Sequence, residues 1–124
     1  MTGRVLDCSG GASFVREYLS DEVELISTDP WVDAATFSSV QRKSAYTCLQ
    51  CKLNFIVATA EFQPVFNESF DGVHMGSMLD HAQVVNLAML EARRVSKPDG
   101  RILVGLYVNE GKVVSFLSNA GLKM

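Results

Sequence analysis

Val5-Leu6-Asp7-Cys8-Ser9-Gly10-Gly11-Ala12-Ser13 carries a short apolar run into an acid and then into a loop of small residues. Glycine lets a backbone approach a ligand with no Cβ in the way, and the start of a following helix offers free amides. Asp7 stands at the end of the apolar run, where an ionised carboxylate accepts hydrogen bonds from loop amides or from a cationic ligand. Asp29 closes the next apolar run, about 20 positions further on, where an acid is placed to accept both ribose hydroxyls of a nucleoside. The plainer readings stand beside these. A strand–glycine–helix turn can be purely structural, and Asp29-Pro30 is also a good opening for a turn. With the glycine loop in front of it, the ribose reading of Asp29 is favoured.

Two further sets of residues are weighed and mostly set aside. Cys48-Leu49-Gln50-Cys51 is a lone C-x-x-C, whereas structural zinc needs four ligands, and His74 and His81 complete such a set only if the fold brings them over. Neither zinc nor redox work is expected of it, and no metal is assigned. Asp80-His81 follows an apolar run, at the rim where an acceptor would arrive. Imidazole is a suitable proton acceptor near neutral pH, so the pair is a weak catalytic candidate. The favoured reading is a helix start, with Asp80 as cap and His81 in the first turn. Arg93-Arg94 reads most simply as a solvated helix face.

These residues need elements to hold them. Arg4–Leu6, Val23–Ile26, Leu53–Val57, Phe70–Met75 and Ile102–Val108 read as strands, and Ser13–Leu19 as a short helix. His81–Val95 is the clearest helix, with Val85, Ala88, Met89, Ala92 and Val95 on one stripe. Lys97-Pro98-Asp99-Gly100 reads as a turn, Lys112–Ala120 as a closing helix, and Ala34–Gln50 as a helix with a loop. The expected fold is α/β: an open, mostly parallel Rossmann-like sheet of about five strands with helices on both faces. Ligands of such sheets bind beyond the carboxyl ends of the strands, where the topology reverses, and the glycine loop and both acids fall there.

Composition agrees with one globular domain over residues 1–124. Hydrophobic residues make up 48% and charged residues 20%, which excludes a disordered or fibrous chain. Lys+Arg 11 against Asp+Glu 14 gives a net charge of -3, without the basic excess of a nucleic-acid binder. No apolar run approaches the roughly 20 residues of a membrane-spanning helix, and the first residues lack a signal-peptide core. Three cysteines, an odd number, make a poor disulfide framework. A cytoplasmic location is expected.

The chain resembles the class I S-adenosylmethionine-dependent methyltransferases, in the small-molecule group that includes quinone-ring methylases. Val5–Ser13 resembles the family's strand followed by D-x-G-x-G-x-G, and Thr59–Val65 resembles D-A-E-x-L-P-F. Asn67–Val73 resembles D-E-S-F-D-x-V, and Ala92–Arg101 resembles A-x-R-V-L-K-P-G-G-R. The motifs run in register from Arg4 to about Val108. The resemblance implies that Asp7, Ser9 and Gly11 line the methionine end of the cofactor, S-adenosylmethionine. It implies that Asp29 holds the ribose, Pro30 lies beside the adenine, and Ala60 and Glu61 sit at the adenine edge. Gly76 would pass close to the amino-acid part, with Ser77 and Met78 nearby. Ser9 and Ser13 stand where the family has glycine, and Thr59 where it has an acid.

The implied activity is methyl transfer to a small-molecule oxygen, nitrogen or carbon. The rival is a non-catalytic methyltransferase-like binding or assembly module, with a Rossmann oxidoreductase a distant third because Thr59–Asp71 has no place in one. Family members carry further helices ahead of the first strand, a substrate-covering insertion after the fifth, and a closing antiparallel hairpin. With Lys112–Ala120 taken as helix, the hairpin is expected to be lacking and the sheet to end on an open fifth strand. Such an edge invites a homodimer or a missing partner segment.

Overall fold

Strands buried on both faces belong in the middle of a parallel sheet, and Arg4–Cys8 has that signature, exposed only at Arg4. The computed structural model describes residues 3–11, 13–31, 33, 54–76, 82–108 and 111–118. In chain order these form β1 (Arg4–Cys8), a 3-10 helix (Phe14–Tyr18), β2 (Glu24–Asp29), β3 (Asn54–Val57), β4 (Phe70–Gly76), α1 (Val85–Val95), β5 (Ser96–Val108) and β6 (Gly111–Ser118). The sheet order is β3-β2-β1-β4-β5-β6, and the first five strands are parallel. This is the open Rossmann-like sheet expected from the alternation of elements. The order reverses between β1 and β4, so the crevice beyond their carboxyl ends is where a ligand would bind.

Strand alternation divides the core between the two faces. Leu6 and Cys8 of β1 join Val73 and Met75 of β4 and Ile102 and Val104 of β5 beneath Ala88, Ala92 and Val95 of α1. Val5, Val23 and Leu25 form a smaller cluster with Val15 and Leu19 around the 3-10 helix. The pairing Leu6↔Val73 brings the next residues, Asp7 and His74, abreast on the smaller cluster's side.

Three expectations need correction. Residues 112–118 are strand, not helix: β6 pairs antiparallel with β5 from Val108↔Gly111 to Arg101↔Ser118. The β-branched and aromatic residues Val113, Val114 and Phe116 favour an extended backbone, and a short polar connection between two apolar runs makes a hairpin. A sixth, antiparallel strand is therefore present, and the edge of β5 expected to be open to a second copy is occupied by β6. Secondly, α1 begins at Val85, with Val84 at the cap position and no side chain capping it; Ala82–Val84 are not helical. The amide of Gln83 donates instead to Glu61 Oε1 at 3.1 Å, so a remote carboxylate meets the positive end of the helix. Thirdly, Lys97–Gly100 lies within β5. Pairing jumps from Phe70↔Ser96 to Gly72↔Arg101, which leaves those residues opposite Asp71 alone. Lys97 Nζ meets Asp71 Oδ1 there at 3.0 Å. The expected helix and loop at 34–50 lie outside the described residues, as do Cys48 and Cys51. Among the described residues no helix is long and apolar enough to cross a membrane.

Arg94 is no solvated helix residue. Its guanidinium donates to the carbonyls of Gln63 (2.8 Å) and Val65 (2.9 Å), to Asn67 Oδ1 (2.8 Å), and in a fork to both oxygens of Glu91 (2.7 and 2.8 Å). Glu91 Oε2 also accepts the Gln63 amide at 2.7 Å. The loop from Gln63 to Asn67 is thus pinned to α1, and with it the turn that precedes it at the sheet's carboxyl edge. A planar fork does this where an ammonium cannot. Hydrogen bonds from Arg94 hold the Glu91 carboxyl below its ordinary value, so the pair's stabilisation is present above about pH 4.5 and lost as the pH falls through the lowered value. Arg94→Ala is expected to cost about 2–3 kcal/mol in urea unfolding, and Arg94→Lys to recover less than half of it.

Candidate functional site

The carboxylate of Asp7 is buried at the carboxyl end of β1, only 2% exposed, and a desolvated charge persists only with partners. Ser13 Oγ donates to Oδ2 at 2.5 Å, and His74 Nδ1, on the adjacent β4, lies 2.7 Å from Oδ1. A Cβ on Gly10 would collide with this carboxylate, so the loop closes over Asp7 only because that position has no side chain. Ser9, Gly11 and Ser13 all take a left-handed backbone, with φ of 55°, 57° and 61°. These alternate positions are those at which the resembling family has glycine. The two serines hold the same path against the strain that a Cβ brings to it.

Asp29, at the carboxyl end of β2, holds the other side of the loop. Its Oδ2 accepts the Gly11 amide at 3.1 Å and its Oδ1 the Trp31 amide at 2.9 Å. The Gly10 amide donates to the Thr28 carbonyl at 3.2 Å, which lays the loop along β2. The half-buried Asp29 carboxylate keeps one lone pair on each oxygen for a further donor. Pro30 is exposed beside it, and Trp31 is 48% exposed.

Beyond β3 a tight turn brings Thr59 opposite Phe62, with Ala60 buried in the core beneath α1. Gln63 Nε2 donates to the Thr59 carbonyl at 2.9 Å and to Cys8 Sγ at 3.3 Å, joining that turn to β1. Cys8 reports the local field. Burial pushes its thiol up to about 12, and the negative charges of Asp7, Glu61 and Asp29 add to the rise. These three acids, at the ends of β1 and β2 and in the turn after β3, set a negative field at the carboxyl edge of the sheet, which suits a cationic ligand.

The structure joins Asp7, Ser9, Gly11 and Asp29 through the loop at the carboxyl edge of the sheet, with Pro30, Glu61 and Gly76 just beyond strand ends and Ala60 buried in the core. Met78, Asp80 and His81 lie outside the described residues. Two refinements follow from the contacts. Both oxygens of Asp7 are already engaged inward, so its charge reaches a ligand through His74; and Glu61 is shared with the start of α1. Sequence reasoning missed His74. The signal was present, since a lone histidine between Val73 and Met75 in a buried strand must find a polar partner, and the β1–β4 pairing supplies Asp7. The thiol of Cys8 is expected to resist alkylation at pH 8 in the folded chain and to react once urea unfolds it, as peptide mapping would show. Because its folded value is raised from 9.0, the stabilisation it gives is full below about pH 9 and falls away as the pH rises towards 12.

Residues 6–104 match the family described as a methyltransferase domain. No curated protein matches the chain. Among solved structures, the YcgJ protein of Bacillus subtilis is 30% identical with a TM-score of 0.68, the match covering 86% of this chain and 44% of that one. A Pyrococcus horikoshii protein is 23% identical (TM-score 0.66, 86% and 50% covered), and an S-adenosylmethionine-dependent methyltransferase from Thermotoga maritima is 22% identical (TM-score 0.58, 83% and 44% covered). The chain thus spans half the length of these relatives or less. With four-fifths of its length inside the family match, and the glycine loop and both acids at the topological reversal of its sheet, the chain belongs to the methyltransferase-domain family.

Proposed function

We propose that this chain is the cofactor-binding core of an S-adenosylmethionine-dependent methyltransferase acting on a small-molecule acceptor, with neither nucleic acid nor a membrane as partner. The observation that carries the reading is the hold of Asp7 and Asp29, at the carboxyl ends of β1 and β2, on a loop of left-handed backbone at the topological reversal of the sheet. The cofactor fits this rim chemically, being a cationic nucleoside. Asp29 has an acceptor left on each oxygen for the ribose hydroxyls, and Pro30 with Trp31 offers exposed apolar surface for the adenine. Ser9 and Gly11 line the loop that would face the methionine end, and Gly76 ends β4 across the crevice.

When bound, S-adenosylmethionine would supply an electrophilic methyl group for transfer to an acceptor lone pair, with the sulfur as leaving group. Such a displacement depends mainly on positioning, and the rigid strand ends provide it. The carboxylate rim holds positive charge in place without moving during the reaction.

Isothermal titration with S-adenosylhomocysteine is the direct test. Saturable binding is expected, with the melting temperature rising by mass action. Asp29→Ala is expected to weaken binding at least tenfold, since it removes the acceptor for two hydroxyls. A flat response from the unmutated chain would overturn the reading in favour of a non-catalytic binding or assembly module.

A further inference from the structure

We propose that His74 is a ligand-binding residue of this crevice, accepting a hydrogen bond at Nε2 from the α-ammonium group of the cofactor; the assignment rests on the methyltransferase reading. Its geometry comes from two contacts. Nδ1 lies 2.7 Å from Asp7 Oδ1, and a carboxylate can only accept, so the proton sits on Nδ1. In the neutral ring this leaves the lone pair on Nε2. The Cε1–Nε2 side of the ring lies over Gly76, the last residue of β4: a Cβ there would stand 2.6 Å from Cε1 and 3.0 Å from Nε2. The imidazole therefore reaches from the buried acid of β1 towards the carboxyl end of β4, along the floor of the crevice at the point of topological reversal. The absent side chain at Gly76 is what leaves room for it.

The chemistry of the bound group follows from the charges. The Asp7 side chain is 3% exposed and that of His74 20%, so a ligand meets the ring and not the carboxylate. A lone pair backed by a buried anion and set in an electronegative rim favours a positively charged donor. In the cofactor the sulfonium carries no hydrogen, which leaves the α-ammonium as the cationic donor. Ser13 contributes from behind by holding the second oxygen of Asp7, which fixes the carboxylate and hence the ring.

The test compares three ligands on two proteins by isothermal titration: S-adenosylhomocysteine, its deaminated analogue and its decarboxylated analogue, on the unmutated chain and on His74→Asn. Asparagine keeps a donor near the Nδ1 position for Asp7 and has no atom at Nε2. His74→Asn is expected to lose about tenfold or more in affinity for the two ligands that retain the amine, and little for the deaminated one. Equal affinities for both proteins, or an equal loss for all three ligands, would overturn the assignment. So would a loss confined to the two ligands that retain the carboxylate. Should the variant fail to fold, imidazole nitrogen shifts of the unmutated chain decide: on adding S-adenosylhomocysteine the Nε2 signal is expected to move while Nδ1 stays, and an unmoved Nε2 would overturn the proposal. No binding of S-adenosylhomocysteine by the unmutated chain would overturn the function itself, an outcome distinct from binding that ignores His74.

Discussion

A carboxylate withdrawn from water inside a β-sheet must be surrounded by donors or lose its charge, and Asp7 imposes that condition on everything near it. Its two partners come from different parts of the chain, Ser13 from the end of the loop and His74 from the neighbouring strand. Meeting both requires the loop to double back over the strand end, which accounts for the three left-handed residues and for the bare backbone at Gly10. It also requires β4 to present a polar side chain between the buried Val73 and Met75. The path of the loop, the register of β1 against β4 and the floor of the crevice are thus consequences of one desolvated charge.

The other face of the sheet solves a matching problem with a cation. Arg94 gathers the carbonyls of Gln63 and Val65, which belong to a stretch of chain without ladder partners, and Glu91 balances its charge. The turn at Thr59–Phe62 is held between this clamp and the Gln63 side chain, which reaches Cys8 of β1. The rim of the crevice therefore stands on polar contacts from both sides, with the apolar core between them supplying most of the stabilisation.

What could be read from the sequence divides along the distance over which each interaction acts. Asp7, Gly11 and Asp29 are legible because their signal lies within a strand, a loop and a strand consecutive in the chain. The parallel sheet is legible from the alternation of short apolar runs with intervening segments. The Asp7–His74 contact and the Arg94 clamp join residues far apart in sequence, so their chemistry shows only once the register is known. The closing strand at Gly111–Ser118 is obscure for another reason. Its apolar residues satisfy helical spacing and strand alternation equally in so short a run, and the β-branched content and the brief connection carry more weight than the spacing. The start of α1 misleads for a related reason, because the carboxylate that meets the chain just ahead of it, at the Gln83 amide, is Glu61, from another part of the chain.

The short reversal between Val108 and Gly111 has a consequence for how the molecule assembles. Joining parallel neighbours demands that a long crossover be closed first, whereas this ribbon forms at little loss of chain entropy. The margin of the sheet is therefore expected to zip up early, on the microsecond scale of hairpins (about 1–10 μs), and to become the template on which the interior strands are laid.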